Sequence, residues 1–543
     1  MKTFFNAKED IVSDAIDGLI LSRGGELRRF DHASHARVVV RADWDKSKVA
    51  IISGGGSGHE PAHAGLVGAG LLTAAVCGEI YASPSVDAVL SAILEVSGPK
   101  GCLLIIKNYT GDRLNFGLAA EKAKALGHTV EMVIVGDDIA IPNAKQPRGL
   151  AGTVFVHKVA GQLSEEGADL TTILDAAKSV SDGLHTIGVA RDTCTVPGSE
   201  KQGRIRDVEA EIGLGIHGEA GVEVKNFGTA KELMEDLAPR LLATLDTSMR
   251  HVALFNDLKG LSGLEVSVLF KEFMTSDLAA VTAFTMGPAP IVTALDMPGF
   301  SISMLPLKPE YEAALFAPIV NDAWPKLQPS HAPETITPPT IATTQDFIPS
   351  QDADVRAVIE TIIATCLSAE GRLNALDAKV GDGDTGTTFA GAARTIQSKL
   401  DALPMADGAQ LFAMLSDIKS KLMGGSSGVL FAILFANAST AYKTDADWSS
   451  SLTAGLDAMM KYGGAKVGDR TMIDAMQPGL AALVAGEGML AAASAARIGA
   501  DGTAMMLSAN AGRSAYLEAR SLDGYADPGA EGIAMIFEAL THH

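Results

Sequence analysis

The sequence predicts a chain of two dissimilar halves: an α/β half over residues 1–327, made of two α/β subdomains, and an all-α half over residues 351–543. Three observations predict it. Short β-branched apolar runs alternate with Ala-rich stretches of helical spacing through the first half, the pattern of buried strands crossed over by helices. In the second half the β-branched runs stop and only helical spacing continues. Between them, the stretch from Lys326 to Gln351 carries Pro329, Pro333, Pro338, Pro339 and Pro349. Each proline fixes φ and removes a backbone donor, so neither helix nor sheet propagates through such a stretch. Residues 328–350 are predicted to be an extended linker.

Strands in the first half are expected at Arg37–Val40, Val49–Ile52, Cys102–Ile106 and Val130–Val135, with a helix over Asn115–Leu126. A second set is expected to begin near Glu211, with strands at Val252–Phe255 and Ile302–Leu305. The helices of the second half are expected over Val355–Leu367, Phe389–Leu400, Ala409–Leu422, Leu452–Tyr462, Pro478–Ala485 and Met489–Ile498.

Composition excludes several classes of partner. The formal net charge is -21, which opposes approach to nucleic acid or an anionic membrane, and neither partner is expected. It does not oppose a small anion, because a bound cation and backbone N–H groups reverse the field inside a site. The longest apolar run, Val429–Ala436, falls well short of the ~20 residues a membrane span needs. Cys77, Cys102, Cys194 and Cys366 form no CxxC pair. They read as reduced thiols of a cytoplasmic protein, and MKTFFNAKED at the start has no signal-peptide apolar core.

Several segments carry chemistry. In VAIISGGGSGHEPAH an apolar strand runs into Gly54, Gly55, Gly56 and Gly58, followed by His59. The glycines suit either a tight strand-to-helix turn or close backbone approach to a ligand at a strand's carboxyl end. In LLIIKNYTGDRLNF, Lys107 ends a strand and Asp112 follows in a loop containing Gly111. The pair reads as a surface ion pair, or as contacts to a small polyhydroxyl ligand with Asp112 as general base. In IGLGIHGEAG, His217 stands between Gly215 and Gly218. It is either structural or an imidazole left bare enough to act as nucleophile. Asp377, Asp382 and Asp384 stand at i, i+5 and i+7, which does not place three carboxylates on one helix face. A helix end and a Gly-rich loop folding back would gather them around a hard cation, the alternative being a solvated acidic turn. Thr385, Gly386, Thr387 and Thr388 then open a helix whose N-terminus suits phosphate. MGGSSGVLF offers a second phosphate-sized loop, and GGAKVGDRTMIDAM and NAGRSAYLEARSLDGYADPGA add two glycine-rich connections.

Taken in order, GGGSGHEPAH, KNYTGDRLNFGLAAEKA, GIHGE, LNALDAKVGDGDTG, MGGSSGVL, GDRTMIDA and AGRSAYL with DPGA resemble the single-chain dihydroxyacetone kinases over essentially the whole chain. The resemblance implies a ketose domain followed by an antiparallel helical barrel that binds ATP, in a homodimer. It implies a hemiaminal between the ketose carbonyl carbon and His217, with Asp112 as base on the substrate hydroxyl and His59 orienting the adduct. Gly56, Lys107 and Ser83 match substrate contacts. Asp377, Asp382 and Asp384 match ligands of two Mg²⁺ ions. Thr385–Thr388, Ser426, Ser427, Gly464, Arg513, Asp527, Pro528 and Gly529 match nucleotide contacts. The segment Asn256–Gly260 differs from the family's usual NNLGG, and Ala220 stands where Pro is common.

The expected activity is ATP-dependent phosphorylation of dihydroxyacetone. Erythrulose and glyceraldehyde are rival acceptors. FAD-AMP lyase chemistry, seen in some relatives, and a non-catalytic ketose sensor are rivals of other classes. The retained aspartates argue against the sensor, which needs no metal ligands.

Overall fold

Strands that are apolar on both faces must be covered on both faces, and this requirement organises the first of two units. In a computed structural model, described over residues 4–30, 37–200, 203–339, 347–422, 426–511 and 522–542, the chain divides into Met1–Ile336 and Thr337–His543. The first unit holds two sheets. One contains β1 (Leu27–Arg29), β2 (Arg37–Arg41), β3 (Ala50–Ser57), β4 (Ala74–Ile80), β5 (Cys102–Lys107) and β6 (Val130–Val135), in the order β1-β2-β4-β3-β5-β6. Its strands β4, β3, β5 and β6 pair in parallel. The other contains β7 (His185–Ala190), β8 (Glu209–Ile212), β9 (Glu223–Asn226), β10 (His251–Asp257), β11 (Thr282–Ala289), β12 (Gly299–Pro306) and β13 (Leu327–Pro329), in the order β13-β11-β10-β12-β7-β8-β9. There β10 and β11 pair in parallel while β12 pairs antiparallel with both β10 and β7.

The helices of this unit are α1 (Ile11–Ser22), α2 (Val86–Val96), α3 (Thr110–Ala125), α4 (Thr153–Glu165), α5 (Leu170–Gly183), α6 (Ala230–Leu242), α7 (Gly263–Thr275) and α8 (Pro309–Phe316). Side-chain alternation along β5 sorts them into layers. Cys102, Leu104 and Ile106 pack with Val89, Ile93 and Phe116 from α2 and α3. Leu103 and Ile105 point the other way, into a core with Phe155 and Val159 of α4, Ile173 and Ala177 of α5, and Val252 and Leu254 of the second sheet. Helices α6 and α7 cover that sheet's far face through Met234, Leu237 and Phe273. All six residues of β5 are buried, and each Leu or Ile so placed contributes ~1.5–3 kcal/mol.

The second unit contains α9 (Ala353–Val380), α10 (Thr385–Ser398), α11 (Gly408–Leu422), α12 (Ser426–Asp445), α13 (Trp448–Gly463), α14 (Ile473–Val484), α15 (Met489–Thr503) and α16 (Pro528–Ala539) among the described residues. Each packs on the next and α16 returns onto α9, so the helices close a ring. They surround a cavity of about 1450 Å³.

Several boundaries differ from expectation for physical reasons. Strand β3 does not end at Ile52 but runs on through Gly54, Gly55 and Gly56 to Ser57. A Cβ on Gly54 would overlap the Val76 carbonyl, and one on Gly56 would lie 2.7 Å from the Ala82 nitrogen. Close strand packing, not a tight turn, demands these glycines. Helix α3 starts at Thr110, so Asp112 lies in its first turn and not in a loop. The second sheet begins at β7, before Glu211; His185, Thr186 and Gly188 dilute the apolar signal of that strand. Gln328 and Pro329, expected to open the linker, instead continue from Leu327 as a strand that pairs with β11. Pro329 is tolerated there because an edge strand leaves one side free of ladder bonds. Helix α16 was not expected, since Pro528, Gly529 and Gly532 break up its sequence.

One side chain of the second sheet holds the segment that connects β11 to β12. Asn256, buried on β10, donates from Nδ2 to the Val292 carbonyl at 2.9 Å and accepts at Oδ1 from the Ile291 and Val292 N–H groups at 3.1 and 2.9 Å. Asn256→Ala leaves these backbone groups buried and unpaired. It is expected to lower the unfolding free energy by ~3 kcal/mol, read as a lower urea midpoint at unchanged slope.

Candidate functional sites

Because β4, β3 and β5 are adjacent and parallel, their carboxyl ends open onto one edge of the first sheet, where open α/β sheets bind ligands. Gly56 lies at the end of β3, with His59 just beyond it; Tyr81 and Ser83 follow β4; Lys107 ends β5, and Tyr109 and Asp112 follow it. The glycines draw these segments together. A Cβ on Gly55 would stand 3.5 Å from an Asp112 carboxylate oxygen, and one on Gly58 would stand 2.8 Å from the Tyr81 ring. His217 enters from the loop after β8. Its ring centroid lies 4.9 Å from His59, 4.9 Å from Tyr81 and 4.7 Å from Tyr109. The six residues expected at this site, His217, Asp112, His59, Gly56, Lys107 and Ser83, are thus brought together.

Hydrogen bonds fix which nitrogen of each histidine is bare. His217 Nδ1 lies 2.8 Å from Glu219 Oε1, and its backbone N–H donates to Oε2 at 3.0 Å. A carboxylate only accepts, so Nδ1 carries the proton and Nε2 keeps its lone pair. The His217 side chain is 20% exposed, which leaves that nitrogen reachable. His59 Nδ1 lies 2.8 Å from the Thr293 carbonyl, so it too donates, and its buried Nε2 has no protein partner. Thr293 adjoins Val292, which Asn256 holds.

The charges are equally set by surroundings. Burial would raise the Glu219 carboxyl, but the hydrogen bonds it accepts from the His217 ring and backbone N–H outweigh it and hold the group at about 2. Burial raises the Asp112 carboxyl despite the neighbouring Ser83 hydroxyl and the Lys107 charge, making it a stronger base. Burial lowers the Lys107 ammonium against the pull of Asp112 and Asp137. Burial and the Lys107 charge push His59 and His63 well below the usual histidine range and His157 down to about 3.

In the second unit α9 runs on to Val380 and delivers Asp377 at the ring's rim. Asp377 Oδ2 accepts from the Asp384 and Thr385 N–H groups at 2.9 and 3.0 Å, which folds the loop back and starts α10. Gly381 is required, since a Cβ there would strike the Asp377 carboxylate. Asp377, Asp382 and Asp384 present oxygens all within 4.8 Å of one another, a donor set that fits a hard divalent cation. These three, with Thr385, Thr388, Asp527, Pro528 and Gly529, line one end of the cavity. Asp527 caps α16 by accepting from the Ala530 N–H at 2.8 Å.

Gly386 and Thr387 face α9 instead: Gly386 packs on the Glu370 carbonyl, and Thr387 exchanges two hydrogen bonds with Asn374. Gly464 closes α13 in the left-handed conformation at φ +73°. Ser426 and Ser427 lie in the first turn of α12, their side chains outside the described residues, as is Arg513.

Residues 18–323 match the Dak1 domain and residues 379–542 the DAK2 domain. The "Dihydroxyacetone kinase" of Citrobacter freundii is 47% identical over 99% of this chain and 98% of its own. The chain belongs to the dihydroxyacetone kinase family. A crystal structure of the C. freundii kinase in complex with AMP-PNP and Mg²⁺ shares 44% identity and superposes with a TM-score of 0.77, covering 100% of this chain and 99% of that one. The human "Triokinase/FMN cyclase" is 38% identical over 99% of this chain and 98% of its own.

Sequence reasoning missed Glu219, Tyr81, Tyr109, Thr293 and Asn374 as parts of the two sites. Glu219 alone had a usable signal, two residues after His217 beyond a glycine. Thr293 acts through its carbonyl, which no side-chain pattern reveals.

The three buried imidazoles set an acid limit. Their folded values lie below the unfolded ~6.5, so their stabilisation is present above that pH and is lost as pH falls toward the folded values. For His157 the window runs from about 6 down to about 3, with a slope of ~1.4 kcal/mol per pH unit. His157→Leu should flatten the pH dependence of urea unfolding below pH 6 by that amount.

Proposed function

We propose that this protein transfers the γ-phosphoryl group of ATP to a short ketose, with dihydroxyacetone the leading substrate. The observation that carries the reading is the bare Nε2 of His217, aimed among His59, Tyr81 and Tyr109 while Glu219 holds the opposite nitrogen. An imidazole so held is a nucleophile for a carbonyl carbon. Attack forms the Nε2–C bond and moves the carbonyl π pair onto oxygen. Glu219 neutralises the ring's positive charge, and the buried Lys107 ammonium is a donor for the developing oxyanion. His59 Nε2 can only accept, so it orients the ketose through one of its hydroxyl groups. The tether supplies positioning that a three-carbon ligand could not gain from contacts alone. It also discriminates against glycerol, which has no carbonyl.

Asp112, buried and raised, takes the proton of the terminal hydroxyl as its oxygen attacks phosphorus and ADP leaves. In the second unit Asp377, Asp382 and Asp384 would hold two Mg²⁺ ions, which neutralise phosphate charge when bound. Thr385, Thr388 and the Asp527–Gly529 corner frame the nucleotide. Mg²⁺ in the related nucleotide complex supports the cation assignment. The reading extends to a cytoplasmic homodimer, supported by four free cysteines and by the family resemblance.

ATP consumption over dihydroxyacetone, glyceraldehyde, both erythruloses and glycerol tests the proposal. Turnover of dihydroxyacetone with none of glycerol is expected; equal turnover of glycerol would sink the carbonyl mechanism. His217→Ala should abolish the ketose adduct seen by intact-mass measurement while nucleotide affinity stays within about twofold. Asp382→Ala should keep the adduct and lower phosphoryl transfer by ~10³-fold or more, measured as single-turnover ADP release.

A further inference from the structure

Lys107 is 1% exposed, and its Nζ has no protein partner. A buried ammonium has three donors to satisfy and no acceptor of its own. Strand alternation puts its side chain on the face of β5 that carries Leu103 and Ile105, the face covered by α4. Two further polar side chains are buried on that face. His157 of α4 is fully buried with both ring nitrogens unpartnered, and His63 is buried with Nε2 unpartnered. Their rings meet edge to face, with centroids 5.1 Å apart. Each is within electrostatic reach of Lys107.

The hydrogen bonds determine what His63 offers. Ser53 Oγ donates to the Ile105 carbonyl at 2.7 Å, so its oxygen is left to accept, and His63 Nδ1 lies 3.4 Å from it. Nδ1 therefore carries the proton and Nε2 is an acceptor. A neutral imidazole always has one such nitrogen, so His157 supplies a second. Buried polar groups without partners are costly, and a cluster of them calls for an explanation.

We infer that His63 and His157 are positioning residues for the ketose site: two neutral imidazoles that accept from the Lys107 ammonium through a bridging water and hold it at the carboxyl end of β5. The inference rests on the reading that Lys107 serves the ketose. The imidazoles solvate the cation without cancelling its charge, whereas a carboxylate in their place would form an ion pair and draw it off the substrate.

The test separates this role from simple packing, because the two make opposite forecasts for His157→Leu. A filler imidazole with unpaired nitrogens is replaced by a leucine with equal or greater stability and no kinetic change. A positioning residue gives equal or greater stability at pH 7.5 together with a KM for dihydroxyacetone raised about tenfold or more. The KM for ATP should stay within about twofold, and His157→Gln, which restores an acceptor oxygen, should recover most of the loss. In a Lys107→Met background His157→Leu should add nothing, since the two act as a unit. Unchanged ketose KM in His157→Leu, parallel loss of ATP affinity and thermal stability, failure of His157→Gln to rescue, or full additivity with Lys107→Met would each overturn the inference. If His157→Leu does not fold, His157→Gln and His63→Gln measured in both Lys107 backgrounds decide it by the same additivity criterion. Should Lys107→Met itself leave the ketose KM unchanged, the underlying site reading fails instead.

Discussion

An imidazole attacks carbon only through a nitrogen that carries a lone pair and nothing else, so the hydrogen bond between His217 Nδ1 and Glu219 governs the first unit. It fixes the tautomer and sets the ring's orientation, and in the proposed adduct Glu219 would supply the counter-charge. Much of the local chain serves that bond. Gly215 has no side chain because the Glu219 carboxylate occupies the space, and Gly218 takes φ +84° so that the loop can double back. His59 repeats the device with a backbone carbonyl as acceptor, and Asn256 steadies the segment that carries that carbonyl. Two imidazole rings, each with its Nδ1 engaged, therefore meet edge to face near a buried ammonium without a protein partner.

The two units solve the problem of polar ligands in opposite ways. The first buries its polar groups deeply and leaves several of them without protein partners, so that a small uncharged molecule meets strong, dry interactions. The second keeps Asp382 and Asp384 exposed and buries only Asp377. Carboxylates destined for a hydrated cation gain nothing by shedding their own water first, and three of them crowded together and buried would repel one another.

Fold class was legible because the signal is repeated. β5 is apolar in five of its six positions, and no proline interrupts α10 or α13. Strand β7 and helix α16 were illegible because polar residues, proline and glycines dilute their patterns while tertiary packing holds them. The histidines and aspartates of the sites were visible since their chemistry is written in residue type and neighbouring glycine. Their supports were not: Thr293 contributes only a carbonyl, and Asn374 contributes from a helix face to a residue thirteen positions on. Glycine runs were visible, but their reason was not. Gly54 and Gly56 answer to Val76 and Ala82, residues distant in sequence.

Asp377 does two jobs with one carboxylate. It accepts the N–H groups that begin α10, and it belongs to the trio of oxygens suited to a cation. Helix initiation and ion occupancy therefore share one carboxylate and are linked equilibria: by reciprocity, the effect of each on the other is of equal size. The start of α10 and the carboxylate trio consequently cannot be altered independently, because any change to the Asp377 side chain is felt by both.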